Sequence, residues 1–123
     1  ANLFKRSINI FGNGKQVRGL LYVDNLVEAY DKFFRGNIKH DVYTIGGGPD
    51  NTTSLLEFIE MIENYTGIKM KYRFDEWRPS DQKVYISDID KVSKALNWKP
   101  KINPVKGVEL LTEWVKDNKE LFK

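Results

Sequence analysis

Hydrophobic periodicity switches repeatedly along this chain, from strand-like alternation to the three- and four-residue recurrence of a helix, and glycines mark most of the switches. Ser7 to Phe11 alternates, with Ile8 and Ile10 on one face. Gly12-Asn13-Gly14 turns the chain into a second apolar stretch, Val17 to Val23, broken by Gly19. Leu26, Val27, Tyr30, Phe33 and Phe34 then recur at helical spacing, with Asp24 placed as an N-cap and Gly36 as a stop. Val42 to Ile45 reads as a compact strand ended by Gly46-Gly47-Gly48-Pro49. Ser54 and Glu57 have capping-box spacing for a helix to Tyr65, with Leu55, Phe58, Ile59 and Ile62 inward and Gly67 closing it.

Met70, Tyr72 and Phe74 alternate with Lys71 and Arg73, the pattern of a half-exposed strand, and Val84-Tyr85-Ile86 is a short extended piece. Ser87 and Asp90 predict a second capping box, with Ile89, Val92 and Leu96 facing inward. Asn103-Pro104 opens a last helix with Val108, Leu111, Trp114 and Val115 inward, because proline suits a first turn. Alternation of this kind specifies the α/β class, a small mixed sheet with helices. A length of 123 residues, without repeat, low-complexity tract or linker, sets one domain over 1–123.

No cysteine is present, so disulfides and thiolate metal sites are excluded, and the composition suits a reducing cytoplasm. No secretory pattern opens the sequence, and no apolar run nears the ~20 residues of a membrane span. One histidine, His40, stands in the polar stretch Asn37 to Asp41 and reads as an exposed loop residue, so neither a metal site nor a histidine base is expected. Twenty basic and 17 acidic residues give a net charge of +3 and a pI near 9.0, which raises nucleic acid as a partner. The lysines are scattered among acids without a basic stripe and stacking aromatics, so nucleic acid is set aside and a small anionic ligand suits the charge.

Two segments carry the candidate site: Gly12-Asn13-Gly14-Lys15-Gln16-Val17-Arg18 and Arg78-Pro79-Ser80-Asp81-Gln82. Each places a planar guanidinium in a turn-rich stretch beside an apolar run, where it could grip a phosphate ester with two parallel hydrogen bonds. Asp81 adds a carboxylate suited to a ribose diol. The bland reading is a surface loop in which Arg78 and Asp81 pair with each other, an interaction worth little in water. Gly46-Gly47-Gly48 has neither G-x-G-x-x-G nor the P-loop lysine and reads as a close-packed turn. Trp98 is placed to anchor the loop between the last two helices, and Trp77 either walls a pocket or packs under its loop.

Ile10-Phe11-Gly12-Asn13-Gly14-Lys15-Gln16-Val17-Arg18 followed by Leu21-Tyr22-Val23-Asp24-Asn25-Leu26 resembles the extended short-chain dehydrogenase/reductases that act on nucleotide sugars. So do Tyr43-Thr44-Ile45-Gly46-Gly47 with Asn51 and Ser54-Leu55-Leu56-Glu57, and the Arg78 segment with Ser87-Asp88-Ile89-Asp90-Lys91 and Leu96-Asn97-Trp98-Lys99-Pro100. These run in order along nearly the whole chain. Gln82, the Gly-Lys-Gln-Val-Arg run and the Ser-Leu-Leu-Glu helix most resemble the CDP-paratose 2-epimerase (CDP-tyvelose epimerase) subfamily.

The resemblance covers the family's C-terminal, substrate-binding half. It implies an N-terminal Rossmann domain, absent from this sequence, that holds NAD and carries the Tyr-x-x-x-Lys proton shuttle. Tyr22 has no lysine four residues on, and no residue here is assigned a catalytic, cofactor-binding or metal-binding role. The resemblance further implies a nucleotide-diphosphate sugar as substrate, with Arg18 and Arg78 clamping the diphosphate and Asp81 holding the ribose. Backbone at Ile10 and Phe11 would meet the base, with Phe11 flanking its ring, and Gln16 and Gln82 would join the nucleotide or sugar contacts.

Three positions depart from the family pattern: Gly19 and Asn25 replace acids, and Ser80 replaces a commoner glycine. Loss of the acid after Arg18 implies a less firmly oriented guanidinium. By resemblance the full-length enzyme oxidises C2 of a CDP-3,6-dideoxyhexose and returns hydride to the other face. This chain alone is then expected to be inactive, to self-associate through apolar surface, and to belong to a homo-oligomer. Rival readings are a UDP-sugar 4-epimerase, a dTDP-sugar 4,6-dehydratase, or a free-standing nucleotide-sugar-binding module.

Overall fold

In a computed structural model, which describes residues 7–38 and 40–122, two short β ribbons are braced by four α-helices. Strand β1 (Ile8–Phe11) runs parallel to β4 (Tyr72–Asp75), with Ile8 opposite Tyr72 and Phe11 opposite Asp75. Strand β2 (Val17–Gly19) runs antiparallel to β3 (Thr52–Ser54), and Val17 also bridges to Val84 in parallel. Parallel and antiparallel pairing are both present, so the small sheet structure is mixed as the periodicity predicts. It is divided into two pieces rather than joined as one.

Helix α2 (Leu55–Thr66) starts where the sequence says it should, because its start signal is local. Ser54 Oγ accepts from the Glu57 amide at 3.3 Å, and Glu57 Oε2 accepts from the Ser54 amide at 2.7 Å. Those bonds from Ser54 hold the Glu57 carboxyl below the usual glutamate range. The next amides are also taken: Leu55 N–H donates to Gln16 O and Leu56 N–H to Gly14 O, at 3.3 and 3.1 Å. The amino end of α2 is thus tied to the Gly14–Gln16 turn.

Helix α1 (Val23–Arg35) departs from expectation at both its start and its face. Asp24 lies inside the first turn, and Tyr22 occupies the cap position without a side-chain bond. Asn25 and Ala29 form the buried side, whereas Val27, Tyr30 and Phe34 are 56, 59 and 88% exposed. Small Ala29 admits the main cluster of Ile89, Val92, Leu96 and Trp98, with Leu21, Ile38, Tyr43 and Ile45 at its edge. Trp98 does anchor its loop: it is 2% exposed, and its indole N–H donates to Asn25 O at 3.0 Å.

Asn25 is a structural residue that sequence reasoning missed. Its amide donates to Ile102 O at 3.0 Å while its oxygen accepts from the Lys101 and Ile102 amides at 3.0 and 3.2 Å. An aspartate could accept both amides but could not donate to the carbonyl. The one signal was an amide standing where the family pattern has an acid.

Four further expectations are corrected. Val42 to Ile45 is extended but lies in no ladder among the described residues. Helix α3 (Asp90–Leu96) has no capping box, since Ser87 Oγ accepts from Gly48 N–H at 3.2 Å, across 39 residues. All four residues of β4 are exposed, and β1 is the one strand paired with it among the described residues. On helix α4 (Pro104–Asp117) Val108 is buried, but Leu111 and Trp114 are 50 and 49% exposed, and Trp114 meets Phe122 edge to face. The glycine run is a close-packed turn as expected: a Cβ on Gly47 would strike the backbone oxygen of Leu20.

Candidate functional site

The two arginine segments are zipped together by backbone bonds on both sides of the site. Gly12 N–H donates to Asp75 O at 2.9 Å, extending the β1–β4 ladder. Val17 N–H donates to Lys83 O at 2.9 Å, and Tyr85 N–H returns a bond to Val17 O at 3.0 Å. Residues 76–82 therefore arch between two fixed points above the turn that follows β1.

Trp77 closes the near end of the arch. Gly12 adopts φ 91°, and a Cβ there would sit 2.6–2.7 Å from the Trp77 indole, so the ring lies against bare backbone. The pocket-wall and packing readings of Trp77 both hold. It packs on Gly12, remains 37% exposed, and with Asn13, Lys15, Gln16, Lys83 and Val84 lines a groove of about 200 Å³.

Next in the chain, Arg78 lays its guanidinium 3.8 Å from the centroid of the Phe11 ring, a cation–π contact. No described carboxylate pairs with Arg78. Asp81 N–H donates to Arg78 O at 3.2 Å, and Ser80 takes a left-handed φ of 64° inside that turn. Asp81 pairs with Arg18 instead of its neighbour: Arg18 Nη2 lies 3.1 Å from Asp81 Oδ1. This corrects the bland reading in which Arg78 and Asp81 neutralise each other.

Arg18 is firmly held, although Gly19 supplies no acid beside it. Nη2 also donates to Gln82 O at 2.6 Å, and Nη1 donates to Val17 O at 2.8 Å. The Arg18 and Asp81 side chains are 36 and 29% exposed, so their attraction is partly screened and worth about 0.2–1 kcal/mol. Such a pair orients groups more than it stabilises the fold.

Gln16 completes the ledge. Its Nε2 donates to Phe11 O at 3.0 Å, while its Oε1 is buried and accepts nothing from the described residues. A buried unpaired acceptor costs about 1–3 kcal/mol until a donor reaches it. Ile10 is 1% exposed, backbone and side chain together, and sits inside the β1–β4 ladder, which corrects the expectation that its backbone meets a base. Gln82 meets the cluster through its carbonyl oxygen. Gln16, Phe11 and Arg78 are thereby linked, as are Arg18, Asp81 and the Gln82 carbonyl.

A proton-shuttling pair is not part of it. One Tyr-x-x-x-Lys spacing does occur, Tyr65 to Lys69, contrary to the expectation of none, and the fold separates its members. Helix α2 ends at Thr66 and Gly67 turns at φ 68°, so the two residues share no helical face. Tyr65 OH donates to Glu113 at 2.9 Å and Lys69 Nζ to Glu63 at 2.6 Å. The Glu113 bond raises the Tyr65 pKa, the opposite of what a proton shuttle needs. His40 is exposed, and no group of His, Asp and Glu among the described residues could hold a metal ion. No described helix is long and apolar enough to cross a membrane.

A family model described as GDP-mannose 4,6 dehydratase matches residues 1–111 of this chain. Among curated proteins, the chain is 34% identical over 115 residues to the CDP-paratose 2-epimerase of Salmonella typhi, covering 92% of this chain and 34% of that protein. It is 33% identical over 119 residues to the UDP-glucuronate 4-epimerase of Thermodesulfobacterium geofontis (strain OPF15), covering 97% and 36%. Among solved structures, UDP-glucuronic acid 4-epimerase from Bacillus cereus, in complex with UDP-glucuronic acid and NAD, matches with a TM-score of 0.83. The identity is 28%, over 94% of this chain and 37% of that one. UDP-glucose 4-epimerase from Thermotoga maritima, with UDP-glucose, matches with a TM-score of 0.84 at 26% identity, over 95% and 37%. The chain thus spans about a third of the length of these relatives.

Proposed function

The chain belongs to the GDP-mannose 4,6-dehydratase family, among the extended short-chain dehydrogenase/reductases, and from that premise we propose that it is the nucleotide-sugar-binding domain of an NAD-dependent epimerase acting on a CDP-sugar, as a CDP-paratose 2-epimerase does. The observation that supports this reading is a pair of contacts between segments about sixty residues apart, Arg78 over the Phe11 ring and Arg18 on Asp81. Arg78 is the diphosphate ligand. Its planar fork suits two phosphate oxygens, and a stack on Phe11 is easily exchanged for a full negative charge. Arg18 adds positive field, Asp81 takes the ribose diol, and Phe11 flanks the base.

The Salmonella typhi relative, a CDP-paratose 2-epimerase, supports a cytidine nucleotide. A second reading, a UDP-sugar 4-epimerase, is favoured by the UDP-sugars in the matching crystal structures and by the relative at 33% identity.

These residues do not fit NAD. No glycine fingerprint for a dinucleotide is present, and the single Tyr-x-x-x-Lys spacing is split between two carboxylates. Hydride chemistry belongs to a Rossmann domain of the same protein, and this domain holds the nucleotide handle while the sugar reorients. The exposed faces of α1 and of Leu111 and Trp114 on α4 are surfaces such a domain would cover. Calorimetric titration of the full-length protein with CDP, UDP and dTDP tests the reading. CDP is expected to bind tightest, and Arg78→Ala to weaken it at least about tenfold, the ~1.4 kcal/mol of one charge-assisted contact. Equal binding of all three excludes the cytidine assignment, and binding indifferent to Arg78→Ala excludes the site.

A further inference from the structure

We propose that Arg78 is a latch over the Phe11 ring, released by phosphate, through which the free site turns away a bare nucleoside and admits a nucleoside diphosphate. This rests on the reading above that Phe11 flanks the base and Arg78 meets the diphosphate. The Arg78 guanidinium carbon lies 3.8 Å from the centroid of the Phe11 ring. Carbon atoms in contact stand about 3.5–4.0 Å apart, so nothing fits between the two groups. Arg78 is exposed and Phe11 is half-buried, so the guanidinium covers the ring on its solvent side, from which a ligand arrives. Without ligand, the place for the base is taken.

The latch is a weak one. No carboxylate among the described residues pairs with the Arg78 guanidinium, so the ring is its one recorded side-chain contact. A cation over a ring at an exposed site favours the closed position by only about two- to fivefold. Opening it takes a swing of the side chain alone, because the Arg78 carbonyl is held in its turn by Asp81 N–H at 3.2 Å. A bare nucleoside offers nothing to the displaced cation, so its apparent affinity is lowered by the fraction of time the ring is covered. A diphosphate gives the same guanidinium charged oxygens to grip, a stronger contact than the ring it leaves. One side chain thus opposes the base and favours the phosphate, and the site responds to both parts only when one ligand carries them.

The test titrates the full-length protein with CDP by calorimetry and with cytidine by ligand-observed NMR, in wild type and Arg78→Ala. UDP and uridine are run alongside, so that the identity of the base does not decide the outcome. The two ligand classes are expected to move in opposite directions: the diphosphate weakens at least about tenfold, and the nucleoside tightens about two- to fivefold. Arg78→Lys, which keeps the charge but stacks poorly, should tighten the nucleoside as alanine does while weakening the diphosphate less. In a Phe11→Leu background, Arg78→Ala should leave the nucleoside unchanged, because the ring it covered is gone. A nucleoside that weakens or holds constant in Arg78→Ala, undetectable binding in both proteins included, overturns the latch and leaves the diphosphate site standing. Tightening that persists undiminished in Phe11→Leu also overturns it, since the ring contact was then not what closed the site. Diphosphate binding indifferent to Arg78→Ala removes the site reading, and the latch with it.

Discussion

Replacing Gly12 by alanine probes how the arch over the site is held. The added Cβ would lie 2.6 Å from Trp77 Cε2 and 2.7 Å from Cδ2, at a backbone φ of 91°. Carbon atoms pack at about 3.5–4.0 Å, so the indole must retreat by about 1 Å. Alanine in a left-handed conformation costs about 1–2 kcal/mol and overpacking about 1–3 kcal/mol more. Trp77 is 37% exposed and can swing outward, so the lower part of that range applies, about 2–3 kcal/mol. At about 4–8 °C per kcal/mol for a small domain, the unfolding midpoint of the chain should fall by roughly 10–20 °C. Arg78 adjoins Trp77 and would be carried off the Phe11 ring, so CDP affinity should fall as well. Gly67→Ala is the control: φ there is 68° with nothing within 4 Å, so it adds strain without moving the site. Thermal unfolding and calorimetry on both variants settle the matter. If Gly12→Ala unfolds within about 2 °C of wild type and binds CDP normally, the argument that Trp77 rests on Gly12 and sets the arch is refuted.

Asn25→Asp should destabilise the chain by about 2–3 kcal/mol, because it deletes the bond to Ile102 O and sets a carboxylate oxygen against that carbonyl in a buried site; urea unfolding measures it. Glu57 is held below its ordinary pKa by hydrogen bonds from Ser54, Glu63 by Lys69, Glu113 by Lys116 and Asp41 by Lys91. Depressed carboxyls stabilise the fold fully above their unfolded values, near ~4, and lose that contribution as pH falls through the lower folded values. The melting temperature should thus be flat from about pH 7 to 5 and fall below it, less steeply in Ser54→Ala. The isolated 123-residue chain should show no turnover of CDP-paratose and should self-associate through the α1 and α4 faces, so activity, or a monomer by light scattering at high concentration, would contradict the domain assignment.

What the sequence made legible was local. Ser54 and Glu57 announce a helix start because both partners lie within four residues, and Trp98 announces an anchor because a tryptophan before Lys99-Pro100 has few other uses. Ser87 misled for the converse reason: its hydroxyl is claimed by Gly48, 39 residues away, so the cap motif was present and its function was not. The stripe on α1 was detected by its period, but periodicity cannot say which face meets Ala29's neighbours and which awaits a partner outside the chain. At the site, residue types pointed to phosphate and ribose. The pairing of Arg18 with Asp81 across 63 residues could not be read from spacing, since Arg78 stood three residues from the same carboxylate. The resemblance put the two segments in one site, and the distances show that Arg18, not Arg78, holds Asp81.

A crystal structure of the full-length protein with CDP bound is the most direct test of the central claim, that the two arginine segments form one nucleotide-diphosphate site. The account predicts the diphosphate on the ledge between Phe11 and the Arg78–Gln82 turn, with Arg78 nitrogens about 3 Å from phosphate oxygens and the ribose diol on Asp81. CDP held elsewhere, or held with Arg78 still stacked on Phe11 and more than about 6 Å from any phosphate, would contradict it.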